Sequence, residues 1–304
     1  IFTASKNRKI EMSRLDGVLW GALAGASFGL IPLFTLPLIA DGLSTDSILF
    51  YRFAIAALML SVVLIIKGED FRVSLKQLLW LFVLGSLYMS SAFFLLWGYE
   101  FMAAGIATAV HFLYPVCVVV LMILFFGERA SLVNICAVML AVVGVVVLSA
   151  GDSASVDVDV KGIVIVVISS LAYAFYIIGV KKTGLEEMGG FKLSFYVLLV
   201  TALLFGVKAL LFGDGIMPIN SGESVINVVL LAFIPTVVSN FALVRAIKTV
   251  GSTTTSILGA LEPMTAVTIG VLIFHDLLKM AHVIGIFLII AAVVTIVIRK
   301  SKVN

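Results

Sequence analysis

The chain has 304 residues, of which 62% are hydrophobic and 12% charged, and its net charge is +3. A soluble domain is nearer half apolar and a quarter charged, so the composition excludes an ordinary soluble protein and indicates a surface that largely faces lipid. No basic tract is long enough for a nucleic-acid-binding protein, so we expect no nucleic-acid partner.

Ten apolar runs of 18 to 27 residues follow one another along the chain. Each is long enough to cross a membrane core of about 30 Å as a helix, and helices are required because lipid cannot satisfy backbone polar groups. The sequence therefore predicts an all-α integral membrane protein with ten transmembrane helices and no soluble domain. The runs are 17–40, 47–66, 77–99, 101–127, 130–151, 162–180, 193–213, 224–244, 249–274 and 281–298.

Basic residues predict the orientation of these helices. Sixteen of the twenty Lys and Arg residues lie in segments that share a membrane side with the N-terminus, whereas Lys161 and Lys279 lie on the other side. Cytoplasmic segments are enriched in Lys and Arg, so we expect both termini in the cytoplasm. The acidic segment 151–161, with Ser153, is then expected outside.

The fourth and ninth runs resemble each other and indicate an internal repeat. Pro115 and Pro263 are 148 residues apart, as are Glu128 and Asp276. A similar offset of 145 aligns 17–29 with 162–174. Because five spans are an odd number, the second half is inverted, giving two five-helix repeats, 1–151 and 152–304. The two prolines are the expected hinges of the broken helices.

Three segments are distinctive: YRFAIAALML (51–60), YPVCVVVLMILFFGE (114–128) and LEPMTAVTIGVLIFHD (261–276). In these segments the chain resembles a drug/metabolite transporter of the EamA type, although His275 stands where the family usually has glycine. It implies ten spans from two repeats and the export of small metabolites, including amino acids. We expect the bacterial inner (plasma) membrane as the location.

Glu262 is the most informative candidate site residue, because it is the one charged side chain between Thr249 and Phe274. Intramembrane carboxylates are rare and normally face a cavity or a partner. Glu262 is either a proton-coupling group or a binding group for a substrate ammonium. Alternatively, it is a structural carboxyl that bonds carbonyls freed by Pro263.

Three further polar candidates lie in the first half. Arg52 either binds a substrate carboxylate with its two-pronged guanidinium, or reaches the interface, or bonds Asp46 or a carbonyl. His111 and Tyr114 lie one helical turn apart on one face. The histidine either contacts substrate or relays a proton, or it is a satisfied packing residue.

Aromatic and amide side chains complete the set of candidate substrate-binding residues. The deep aromatics Phe28, Tyr88 and Tyr173 either line an apolar cavity or pack between helices. Asn240 either lines the transport path or holds helices together by a hydrogen bond.

These features predict a secondary transporter that exports a small organic solute by alternating access. One deep acid and one base suit a zwitterion, so an amino acid or related metabolite is the expected substrate, with efflux of lipophilic cations or drugs as the alternative.

Motifs of intramembrane enzymes are absent, and an inverted repeat favours alternating access over a channel. We expect no enzymatic activity, cofactor or metal; the partners are the substrate, the bilayer and, as a candidate coupling ion, protons. The oligomeric state is left open.

Overall fold

The computed structural model describes residues 2–127, 132–150, 159–213 and 215–303. The described residues are helical apart from short connections, and they contain no strand. The helices are α1 Phe2–Phe28, α2 Ile31–Ala40, α3 Thr45–Ile66, α4 Leu75–Gly98, α5 Ala104–His111, α6 Tyr114–Phe126, α7 Leu132–Ala150, α8 Val160–Lys182, α9 Gly190–Phe212, α10 Gly222–Ala232, α11 Ser239–Leu258, α12 Leu261–Leu272 and α13 Met280–Val303. A 3₁₀ turn (Leu185–Met188) precedes α9, and a π-helical segment (Phe233–Val238) joins α10 to α11.

Many of these helices are long and apolar enough to cross a membrane. In the described part of the chain, seven segments meet this description by length and composition: Leu15–Ala40, Thr45–Ile66, Leu75–Gly98, Ala104–Phe126, Val160–Lys182, Gly190–Phe212 and Gly222–Ala246. Three shorter apolar helices are Ile135–Val147, Leu261–Leu272 and Met280–Thr295. Large apolar side chains such as Ile66, Phe125 and Phe212 are exposed, as expected for a surface in contact with lipid.

Helices break near prolines, because proline lacks the N–H that would bond the carbonyl four residues earlier. Three breaks lie two to four residues before a proline: 29–30 before Pro32, 112–113 before Pro115 and 259–260 before Pro263. The last two are the predicted hinges. In contrast, α11 continues through the predicted connection 245–248, whose residues Arg, Ala, Ile and Lys include good helix formers.

The most extensive helix pairs join the two halves of the chain. They are α1 with α11, α3 with α9, α4 with both α8 and α9, α5 with α12, and α7 with α13. Glycine allows a close approach of α5 to α12: a Cβ on Gly105 would lie 2.8 Å from the Val267 Cα. Residues 128–131 and 151–158, with Glu128 and Ser153 of the sequence predictions, lie outside the described residues.

Candidate functional site

A cavity of 170 Å³ lies where helices from both halves meet. Its lining includes seven of the eight substrate-binding candidates predicted from the sequence: Phe28, Arg52, Tyr88, His111, Tyr114, Tyr173 and Glu262. These residues belong to α1, α3, α4, α5, α6, α8 and α12, so they converge from distant parts of the chain. Pro115 and Pro263 directly follow the lining residues Tyr114 and Glu262.

Arg52 projects from α3 and is 4% exposed. Its Nε–H donates to Thr236 Oγ1 at 3.1 Å, and its guanidinium carbon lies 5.1 Å from the centre of the Phe53 ring. The two Nη atoms make no hydrogen bond to any residue that the structure describes. Because Arg52 also lines the cavity, its outer nitrogens are available to a carboxylate there.

Pro235 explains why Thr236 is positioned to accept from Arg52. Pro235 cannot bond the Leu231 carbonyl, and Thr236 Oγ1 donates to that carbonyl instead, at 3.1 Å. The backbone here is π-helical, a local distortion often found at functional sites. The sequence analysis did not identify Thr236, and the signal that could have pointed to it is the proline inside the eighth apolar run.

Glu262 lies in the first turn of α12 and is partly exposed to the cavity. Its backbone N–H donates to the Gly259 carbonyl at 3.0 Å. The carbonyl that Pro263 cannot bond is therefore satisfied by a tight turn, and it does not need the Glu262 side chain. Within the described residues, no hydrogen-bond partner or ion pair engages the carboxyl, so the predicted structural alternative finds no support in these contacts.

His111 ends α5 and is held by two serines of α8. Ser169 Oγ lies 3.0 Å from His111 Nδ1 and donates to the Ser91 carbonyl at 2.6 Å. Ser170 Oγ lies 3.0 Å from the His111 carbonyl oxygen, which is the carbonyl left free by Pro115, and it shares its one hydrogen with the Val166 and Val110 carbonyls at 3.1 and 3.2 Å. Neither serine was predicted as a site residue.

Aromatic rings form most of the cavity wall around these polar groups. Tyr173 contacts Tyr114 edge-on with ring centres 4.8 Å apart, and it lies 5.6 Å from the His111 ring and 6.1 Å from Tyr88. Such contacts fix the rings by packing. The arrangement therefore offers an aromatic wall, with one guanidinium and one carboxyl facing the same space.

One sequence-based interpretation needs correction, and one candidate residue lies outside the cavity lining. Asn240 does not line the cavity; its Nδ2 donates to the Thr236 carbonyl at 2.5 Å, one turn earlier in the same helical segment. The interpretation that Arg52 bonds Asp46 is wrong, because Asp46 pairs with Lys208 at 2.5 Å. Lys208 lies nearer the end of its helix and reaches Asp46 without being fully buried.

A second, more open pocket of 690 Å³ lies at the end of the molecule that contains the α12–α13 connection. Glu100, Asp159, His275 and Asp276 line it, and partial burial raises the pKa of the Asp276 carboxyl. Among the described residues, no group of three His, Cys, Asp or Glu side chains is arranged to hold a metal ion.

Comparisons with known proteins point to membrane transport. The model of the EamA-like transporter family matches residues 15–150 and 160–298. An uncharacterized transporter of Archaeoglobus fulgidus is 33% identical over 135 residues, which cover 44% of this chain and 46% of the relative, so the match spans about half of that protein. A solved crystal structure superposes with a TM-score of 0.66 at 17% identity, covering 95% of this chain and 98% of the other, which shows a shared fold.

Proposed function

The chain belongs to the EamA-like transporter family, and from that premise we propose that it is a secondary active transporter that exports a small organic solute by alternating access. The observation that carries the proposal is the cavity between the two halves, into which Arg52 and Glu262 both face. A site of this kind, at the interface of repeats and beside broken helices, is what alternating access requires.

We propose ten transmembrane helices in two inverted repeats, 1–151 and 152–304, with both termini cytoplasmic. The family matches begin and end close to these halves. The packing pairs support it as well: exchanging the halves turns the pair α4–α8 into the pair α1–α11, and it turns the pairs α3–α9 and α7–α13 into themselves. Repeat-related residues also meet in the cavity, since offsets of 145 and 148 relate Phe28 to Tyr173 and Tyr114 to Glu262.

Cysteine labelling tests this topology. In a variant without Cys117 and Cys136, cysteines are placed at positions 153 and 181, and intact cells are treated with a membrane-impermeant maleimide. We expect labelling at 153, which the charge asymmetry places outside, and none at 181. The opposite pattern would reverse the orientation.

An amino acid or related zwitterion is the proposed substrate. Arg52 provides a carboxylate partner and Glu262 an ammonium partner in one cavity. The aromatic wall and Glu262 would also suit a lipophilic cation, the second candidate, but a buried guanidinium repels a ligand that carries only positive charge.

A counterflow assay in proteoliposomes distinguishes an amino-acid substrate from a lipophilic cation. Vesicles loaded with one amino acid, or with a cationic dye, are tested for exchange of the labelled compound. We expect exchange of amino acids, and about a tenfold or greater loss in the Arg52→Gln variant, because a charge-assisted hydrogen bond is removed. Exchange of dyes alone, unchanged in Arg52→Gln, would favour the second candidate. The expected location in a bacterial inner membrane stays a prediction.

A further inference from the structure

The hydrogen bonds of Ser169 determine which nitrogen of His111 carries a hydrogen. Ser169 Oγ lies 2.6 Å from the Ser91 carbonyl oxygen, which can only accept, so the single hydroxyl hydrogen points to Ser91. Ser169 then offers only lone pairs to His111 Nδ1, 3.0 Å away. A hydrogen bond at that distance requires the hydrogen on Nδ1.

A neutral imidazole carries one N–H, so Nε2 of His111 is then a lone-pair acceptor. His111 lines the cavity, and its ring hydrogen bond among the described residues is the one that Nδ1 makes with Ser169, which leaves Nε2 without a partner there. The carboxyl of Glu262 faces the same cavity and is also an acceptor. Two acceptors without protein donors therefore face one space, which suits a ligand group with several N–H donors.

We propose that Ser169 is a positioning residue that holds His111 in the Nδ1–H tautomer, so that His111 Nε2 accepts a hydrogen bond from the substrate. The site then selects protonated amines that keep an N–H and rejects quaternary ammonium compounds. The proposal rests on the transport function proposed for this cavity and narrows its substrate class.

The internal repeat shows that this acceptor belongs to one side of the cavity only. The offset of 145 relates Ser169 to Ala24, and the offset of 148 relates His111 to Gly259. The second half thus lacks both the ring and its serine, while Glu262 replaces Tyr114. His111 and Glu262 therefore have no equivalents related by the repeat, and they form one polar end of the cavity, where the amine of the substrate is oriented.

The tautomer is measured directly by ¹⁵N NMR of histidine-labelled protein in nanodiscs at a pH where His111 is neutral. We expect Nδ1 protonated and Nε2 bare in the wild type, and a mixture of tautomers in Ser169→Ala. Ser170→Ala is the matched control: it removes the neighbouring hydroxyl, which bonds the His111 carbonyl, and should leave the tautomer unchanged. A wild-type spectrum with Nε2 protonated overturns the proposal, even if the variants fail to fold.

Substrate selection is measured with phenylalanine and its N-methyl, N,N-dimethyl and N,N,N-trimethyl derivatives as competitors in counterflow. Each step adds one methyl group, but the last N–H disappears only at the trimethyl compound. We expect the trimethyl compound to compete about tenfold or more weakly than the dimethyl compound. In the His111→Phe variant, this difference between the two compounds should be smaller. Equal competition by the trimethyl and dimethyl compounds overturns the selectivity. If none of the series competes, the proposed amino-acid function fails, and the NMR result alone decides whether Ser169 sets the tautomer.

Discussion

His275 has a φ of +58°, and its repeat counterpart Gly127 has a φ of +65°. A left-handed backbone costs a residue with a side chain about 1–2 kcal/mol, whereas the glycine at the counterpart position adopts it readily. We expect His275→Gly to raise the thermal unfolding temperature in detergent. The gain should not exceed about 1 kcal/mol, because glycine also loses more entropy on folding.

The reciprocal substitution is the control for this prediction. Gly127→His should lower the unfolding temperature by about as much as His275→Gly raises it. His275→Val should lower the unfolding temperature below that of the wild type, since β-branched residues tolerate this conformation poorly. A lower unfolding temperature for His275→Gly would show that the imidazole makes contacts worth more than the backbone strain.

Glu262 is expected to take part in the transport cycle by binding and releasing a proton. Each unit by which its pKa differs between the two access states supplies about 1.4 kcal/mol of coupling. Glu262→Gln keeps the size and hydrogen bonding but cannot titrate. We expect proton-driven uptake to fall by about tenfold or more and its pH dependence to flatten, measured in proteoliposomes from about pH 5.5 to about pH 8.

Elution of Glu262→Gln as a single symmetric peak is the folding control for that experiment. Transport at the wild-type rate, with the wild-type pH profile, would show that the carboxyl does not titrate during the cycle. Glu262 would then have no part in proton coupling, and a proton-binding group would have to be sought elsewhere.

At the scale of the helices, prolines create the polar parts of the site. Each of three prolines leaves a carbonyl without its helical partner, and a different group replaces that partner. The Ser170 hydroxyl bonds the carbonyl freed by Pro115, Thr236 the one freed by Pro235, and the Glu262 N–H the one freed by Pro263. Two of the three replacements bring a hydroxyl to the neighbourhood of Arg52 or His111, so helix breaks and binding groups share one cause.

Close packing of α5 on α12 depends on Gly105. Its Cβ position lies 2.8 Å from the Val267 Cα, and backbone atoms cannot move aside cheaply. We expect Gly105→Ala to destabilise the protein by about 1–3 kcal/mol through overpacking, measured by thermal unfolding. Gly222→Ala is the matched control: a Cβ there meets nothing within 4 Å, so its unfolding temperature should stay the same or rise.

For the whole molecule, the sequence was sufficient for the helical class, most helix positions and seven cavity residues. Long apolar runs and a deep carboxylate are strong signals, because lipid permits few alternatives. It was not sufficient for Thr236, Ser169 and Ser170, since small hydroxyl residues are common in membrane helices and gain meaning only from their partners. The same applies to Asn240, which lies outside the cavity lining, because an amide can bond its own helix as readily as a ligand.

The two loops that follow α3 and α9 are tied to the opposite half by related tyrosines. Tyr51 of α3 donates to the Met217 carbonyl at 2.9 Å, and Tyr196 of α9 donates to the Phe71 carbonyl. The offset of 145 relates the two tyrosines, and in the proposed topology the first tie lies at the outer face and the second at the inner face. Each tie therefore joins the two halves of the chain at its own face of the membrane.

Removing one tie should favour the conformation that is open on its side. We expect Tyr51→Phe to speed labelling of a cysteine at the cavity residue Ala92 from outside, and Tyr196→Phe to speed it from inside, by about two- to tenfold for the loss of one hydrogen bond. The assay uses an impermeant maleimide on right-side-out and inverted vesicles, without Cys117 and Cys136. The double variant is the control, because loss of both ties should return the balance between the two faces towards that of the wild type. If both single variants speed labelling from the same face, the ties do not act on opposite entrances and their symmetry has no role in access.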